Sequence, residues 1–323
     1  MTTLFRMMWR QGFAKTAGVI AALGALSVEA LSAQQVPDTV FRSVATTPAF
    51  PAGAGPRIGI DEAHHNFHTA VGRYRPFAML AERNGYRVVR VNGTLSDARL
   101  SAIDVLVIAN PLNAVNAPNN WTLPTPSAYT ADEVAAVQRF VERGGALLLI
   151  ADHMPFAGAA EALGTAFGIR FYNGFSQMPD STSLFVLRRS DNLLSHAITN
   201  GRSAGERIDS VMVFTGSALS VSLPASRGTA TPLMKIPAGA RVSMPTTAWQ
   251  FTASTPTIAA DSLLFGAALT VGNGRVVAAG EAAMFSAQRA GPQAANLMGF
   301  NNPSAHQNGQ FVLNVLRWLT EKR

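Results

Sequence analysis

The chain has 323 residues, of which 48% are hydrophobic and 14% charged, with a net charge of +7. So low a charged fraction excludes a solvated, disordered chain, and the length suits about two domains or one α/β domain with insertions. The absence of cysteine excludes disulfides, zinc–thiolate sites, iron–sulfur clusters and a cysteine nucleophile. The positive charge is spread rather than clustered, so no nucleic-acid partner is expected.

In chain order, Arg6, Arg10 and Lys15 precede the apolar stretch Ala17 to Leu26, shorter than the ~20 residues of a membrane span. Small residues follow, and Leu31-Ser32-Ala33 suits signal cleavage, with Val28-Glu29-Ala30 as a competitor and an uncleaved interfacial anchor as the alternative. Cleavage after Ala33 removes three of the 26 Lys and Arg and one of the 19 Asp and Glu, leaving 290 residues with a net charge of +5. The reading for residues 1–33 is a signal peptide, and for the protein export to a periplasmic or secreted location, with no membrane span afterwards. Residues 34–56, rich in Pro, Ala, Thr and Gly, read as a linker.

From residue 57 the pattern alternates. Arg57 to Ile60 is a short strand, Arg73 to Asn84 a helix stopped by Gly85, and Tyr86 to Val91 a strand. Val105 to Ala109 is apolar throughout, as a strand covered on both faces must be. Thr130 and Glu133 form a capping box opening a helix to Arg143, and Ala146 to Ile150 is a second fully apolar strand. This order predicts an α/β fold with a mostly parallel sheet. Residues from about 175 to 260 read as a β-rich insertion or edge extension, with strands at 184–189, 208–214, 217–223 and 240–250. Leu263 to Val271 and Arg275 to Ala279 flank Gly272-Asn273-Gly274, a hairpin signal. A closing helix carries Phe311, Val312, Val315, Leu316 and Leu319 on one face.

Ligands of doubly wound sheets bind beyond the carboxyl ends of the strands. Three strands end in polar clusters: Asp61-Glu62-Ala63-His64-His65-Asn66-Phe67-His68, Asp152-His153, and Glu281. Four of the six histidines and four carboxylates are thereby aimed at one rim. Asp61, His65, Asp152, His153 and Glu281 are the candidate catalytic residues. His64, His65, His68, Asp152 and His153 are the candidate ligands of a divalent metal, since imidazoles and carboxylates without thiols suit zinc, manganese or iron. A metal-free histidine base oriented by a carboxylate stands beside that reading. Each residue also has a structural role open to it: Asp61 and Asp152 as caps, His68 bonded to a buried carbonyl, Glu281 paired with Arg73 or Arg75. His196 reads as structural, and His306, with Asn302 and Asn308, could line the same rim. No H-E-x-x-H, phosphate loop or G-x-S-x-G is present, so Ser176 and Ser286 are weak nucleophile candidates.

The run Ile60 to Thr69, then Gly72-Arg73-Tyr74, Pro76-Phe77-Ala78, Ile150 to Phe156, Gly280 to Phe285, and Asn308 to Phe311 with Trp318-Leu319, resembles a bacterial family, without an assigned reaction, of the class I glutamine amidotransferase-like superfamily. The resemblance covers most of residues 57–320, least clearly 175–260, and implies a flavodoxin-like three-layer sandwich. Glutaminases of that superfamily use a cysteine on a strand-to-helix elbow. Here Asp152-His153 stands at that turn and cysteine is absent, so glutamine hydrolysis by that route is excluded. Other relatives are non-catalytic modules. Two readings follow: an exported hydrolase of a small polar substrate such as a carbohydrate or ester, or a non-enzymatic ligand- or partner-binding module of the cell envelope.

Overall fold

The computed structural model describes residues 35–42 and 47–321, so the signal-peptide reading of 1–33 lies outside the described residues. A mixed α/β fold is built on a nine-stranded sheet. Its strands in chain order are β1 (Arg57–Asp61), β2 (Arg87–Val91), β3 (Val105–Ala109), β4 (Ala146–Ile150), β5 (Ile169–Phe171), β6 (Leu219–Val221), β7 (Gly228–Lys235), β8 (Leu264–Val271) and β9 (Gly274–Ala279). The spatial order is β2-β1-β3-β4-β9-β8-β6-β5, with β7 also paired to β8. From β2 to β9 the five strands run parallel, so their carboxyl ends share one rim. Beyond β9 every pairing is antiparallel.

Local chemistry accounts for these elements. The side chains of β3 and β4 are nearly all withdrawn from water because helices cover both faces. Helix α1 (Arg75–Arg83), begun by Pro76, and the closing helix α3 (Asn308–Thr320) pack on one face. Helix α2 (Ala131–Glu142) packs on the other. The Thr130–Glu133 capping box is formed in both directions. The β8–β9 hairpin turns through Gly272 at φ +55°, and a Cβ on Gly274 would meet the Val141 carbonyl oxygen at 2.0 Å. Only glycine lets that turn seat against the end of α2.

Several expectations need adjustment. The described parts of the predicted linker are docked. Val36–Pro37 pairs with the strand Ala287–Ala290, and the buried Asp38 carboxylate accepts from Arg289 Nε and Asn301 Nδ2, each at 3.0 Å. The extension contains strands at Leu184–Arg188, Ser210–Phe214 and β6, while 240–250 contracts to Arg241–Ser243. That strand joins Thr257–Ala259 and Phe175–Gln177 in a separate three-stranded sheet. Strand β7 escapes the sequence pattern because it carries Pro232 at a sheet edge, where register shifts absorb the missing donor.

Candidate functional site

Strand parity divides the rim into two groups. In β1, Ile58 and Ile60 face the core beneath α1 and α3, so Asp61 turns to the α2 face. There, fully buried, its carboxylate accepts from Tyr129 Oη at 3.0 Å, Asn66 Nδ2 at 3.2 Å and the Ala63 amide at 3.1 Å. His64 Nδ1 lies 2.9 Å from both Asp61 oxygens, and its Nε2 lies 2.9 Å from Glu133 Oε1. Because both acceptors are carboxylates, both imidazole nitrogens donate and the ring is a cation. Burial opposes that charge, but Asp61 and then Glu133 outweigh it and raise the His64 pKa above its usual value. Glu133 also accepts from the Leu95 amide at 3.1 Å and the Thr130 amide at 3.0 Å. Against the opposing effect of burial, these amides and His64 lower its pKa.

Asp152 and Glu281 have the opposite parity. Ile150 in β4 and Ala279 in β9 belong to the α1/α3 core, and the residues two further on point the same way. β4 and β9 are adjacent, which brings the two carboxyls within electrostatic reach of each other. Asp152 accepts from the His153 amide at 2.8 Å. Glu281 accepts from the amides of Ala283 at 2.5 Å and Met284 at 2.8 Å. Neither has a cationic partner among the described residues; Arg75 pairs with Glu82, and Arg73 donates to the Phe67 carbonyl. Burial pushes the Asp152 carboxyl up to about 7 against the backbone amides it accepts from. Burial, then the charge of Asp152, raises Glu281 well above the carboxylate range. Tyr74, buried beside them, donates to the Ala282 carbonyl at 2.9 Å. Burial and then the charges of Glu281 and Asp152 drive its phenol well above normal.

His153 sits in an aromatic surround. Its ring stacks on Phe175 at 4.6 Å and 13° and meets the edge of Trp249 at 4.7 Å. Nδ1 donates to the Met154 carbonyl at 2.6 Å, leaving Nε2 with the lone pair. Burial lowers its pKa to about 4, so the ring is neutral at physiological pH. Trp249 and Phe251, both packed on Phe175, are 53% and 42% exposed and form a shelf beside it.

The remaining sequence candidates disperse. His65 is exposed at φ +45°. His68 is buried, with Nε2 3.2 Å from Gln288 Nε2 rather than on a backbone carbonyl. Ser286 Oγ donates to the Arg73 carbonyl, and Ser176 is fully buried. His196 caps the short helix Ala197–Asn200, His306 is exposed, and Asn308 bonds the Met212 backbone. Among the described residues, no group of three or more His, Asp or Glu is arranged to hold a metal ion. His64 has both nitrogens committed and His153 has one, which separates the five predicted ligands. Sequence reasoning passed over Tyr74, Asn110, Trp121, Tyr129, Phe175 and Trp249. It read Glu133 only as a cap, although a capping carboxylate at the rim could have been read as a partner for His64.

No family model and no curated protein matches the chain. Among solved structures, the chain is similar to the N-terminal domain of mmIFT52, with TM-score 0.54 and 15% identity, covering 82% of this chain and 97% of that one. A cytoplasmic protein from Salmonella typhimurium LT2 follows at TM-score 0.46 and 13% identity, covering 82% and 99%. A ThuA-like protein from Bacteroides uniformis ATCC 8492 gives TM-score 0.41 and 14% identity, covering 86% and 94%. At such identity the first likeness speaks to fold alone.

Proposed function

We propose that the protein is an exported hydrolase of flavodoxin-like, glutamine amidotransferase-like architecture, acting without a metal on a small polar substrate of the carbohydrate or ester class. The observation carrying this reading is the Asp152–Glu281 pair, two buried carboxyls at adjacent strand ends, one raising the other, with no cationic partner among the described residues. Burying carboxyls uncompensated costs the fold stability, and such sites are characteristic of acid–base chemistry. Asp152, poised near neutrality, moves the proton. Burial and the Asp152 charge favour the neutral form of Glu281, which limits the second charge beside it. His153 Nε2 accepts a hydrogen bond from the attacking water or a substrate hydroxyl. Support for the architecture comes from the parallel strand order β2-β1-β3-β4-β9, which follows the doubly wound pattern, with helices on both faces. Support for export comes from the charged start and short apolar stretch. Among the described residues, no helix is long and apolar enough to cross a membrane. N-terminal sequencing of native protein should then begin near Gln34, and Met1 on an envelope-bound form would support an anchor instead.

The second reading, a non-enzymatic binding module of the envelope, is favoured by the exposed Trp249 and Phe251 shelf, which would grip a ligand with or without turnover. Assays of the purified protein on a panel of small glycosides and esters decide between them. The hydrolase reading expects a pH–rate profile that bends near 7, and Asp152→Asn should reduce kcat/KM by ~100-fold or more. Ligand binding with no turnover would transfer the site to the second reading.

A further inference from the structure

Four buried side-chain nitrogens around Phe67 have no hydrogen-bond partner among the described residues. The Arg73 guanidinium lies 3.6 Å from the centre of the Phe67 ring, and its Nη1 donates to the Phe67 carbonyl at 3.1 Å. Its Nε is buried without a partner. Among the described residues no carboxylate compensates this half-buried cation, whose pKa burial lowers. His68, 2% exposed, meets the Gln288 side-chain amide at Nε2, and neither its Nδ1 nor Gln288 Oε1 has a partner among the described residues. Asn110, 1% exposed, accepts the Asp152 amide through Oδ1 and the Phe67 amide through its carbonyl at 2.8 Å, while its Nδ2 is unpaired. The Trp121 ring lies 5.5 Å from Phe67, with a buried and unpaired Nε1.

Unmade hydrogen bonds at buried polar groups are expensive, and four such nitrogens gathered around one side chain call for a partner. A fixed guanidinium edge, Nε with Nη2, matches the two oxygens of a carboxylate, and the uncompensated charge of Arg73 calls for an anion. We infer that the rim recognises a carboxylate-bearing ligand of the acidic-sugar class. Its carboxylate takes the free edge of Arg73 beside His68, and its ring lies toward Trp121. This rests on the rim being a ligand site, as proposed above, and names what enters it. The positive charge of the chain would assist capture of such an anion.

Glucuronate, glucose and inorganic phosphate, titrated calorimetrically into the full mature chain, test the inference. Glucuronate should bind at least about tenfold more tightly than glucose, and the margin should shrink as salt rises. Arg73→Gln should remove the preference. Arg73→Lys, which keeps the charge on a similar stem but loses the fork, should retain part of it, and melting curves of both variants report whether the fold survives. Equal binding of glucuronate and glucose, tighter binding of phosphate, or an unchanged preference in a folded Arg73→Gln would each overturn the inference. Turnover without charge preference would defeat this inference and spare the hydrolase reading. Charge preference without turnover would do the reverse.

Discussion

On the α2 face of the rim, Asp61 and Glu133 hold the His64 cation between them at 2.9 Å, with amide, phenol and side-chain donors completing the carboxylates. On the opposite face, Asp152 and Glu281 receive amides and, among the described residues, no cation. Both groups are buried at the ends of parallel strands and use the same residue types, yet their chemistry diverges. A carboxylate–imidazolium–carboxylate chain sets a cation between its two anions and fastens the β1 loop to the start of α2. Two buried carboxyls without a cation, one raising the other, leave a proton to be exchanged. Charge compensation, more than residue identity, distinguishes a buried polar group that holds a fold from one that can work on a substrate.

The largest expected effect lies on the compensated side. Truncating His64→Ala strands two buried carboxylates and should cost roughly 3–5 kcal/mol in denaturant unfolding. The pH dependence has a definite sign. The folded pKa of His64 is raised above 6.5, so its contribution is complete below the unfolded value and fades as pH rises through the folded one. Glu133 is lowered, so its contribution is present above its unfolded value and fades as pH falls through the folded one. Wild-type stability should decline into the alkaline range, and the His64→Ala variant should lack that component. A nearly neutral substitution would show that the network fastens nothing.

The uncompensated side should respond in the opposite direction. Asp152 is raised from 3.8 to about 7, so the folded state binds more protons than the unfolded one between those values, and stability falls as pH rises across them. Asp152→Asn should therefore stabilise the protein by on the order of 2 kcal/mol at pH 8, with little gain near pH 4, while abolishing turnover. A variant both less stable and fully active would reverse the contrast. The smallest change is expected at the exposed shelf. Trp249→Ala should alter stability by less than about 1 kcal/mol, because its ring is half in water. Glucuronate affinity should nevertheless weaken several-fold in titration, and an unchanged affinity would remove the shelf from the site.

Much of the scaffold was legible because its signals are local. The apolar runs of β3 and β4, the Thr130–Glu133 box, the glycine turn between β8 and β9 and the helical spacing of Phe311, Val315 and Leu319 each follow from a few neighbouring residues. Parallel strand direction then carried Asp61, Asp152 and Glu281 to one rim. Their division between two faces was harder to read. β3 and β4 are apolar on both faces, so they show no alternation to distinguish one face from the other, and parity becomes meaningful only once the helices are in place.

The amino-acid sequence by itself determined the elements of the parallel half, their carboxyl-end polar clusters and the exclusion of cysteine chemistry, because propensity, capping and turn geometry act over one to four residues. Tertiary structure alone decided which charges are compensated. The partners of His64 lie 3 and 69 residues away, and those of the shelf span Trp121 to Phe251. Strand order brought Asp152 and Glu281 together across more than a hundred residues of intervening chain. Compensation is a property of the space around a side chain, and only the packed sheet defines that space.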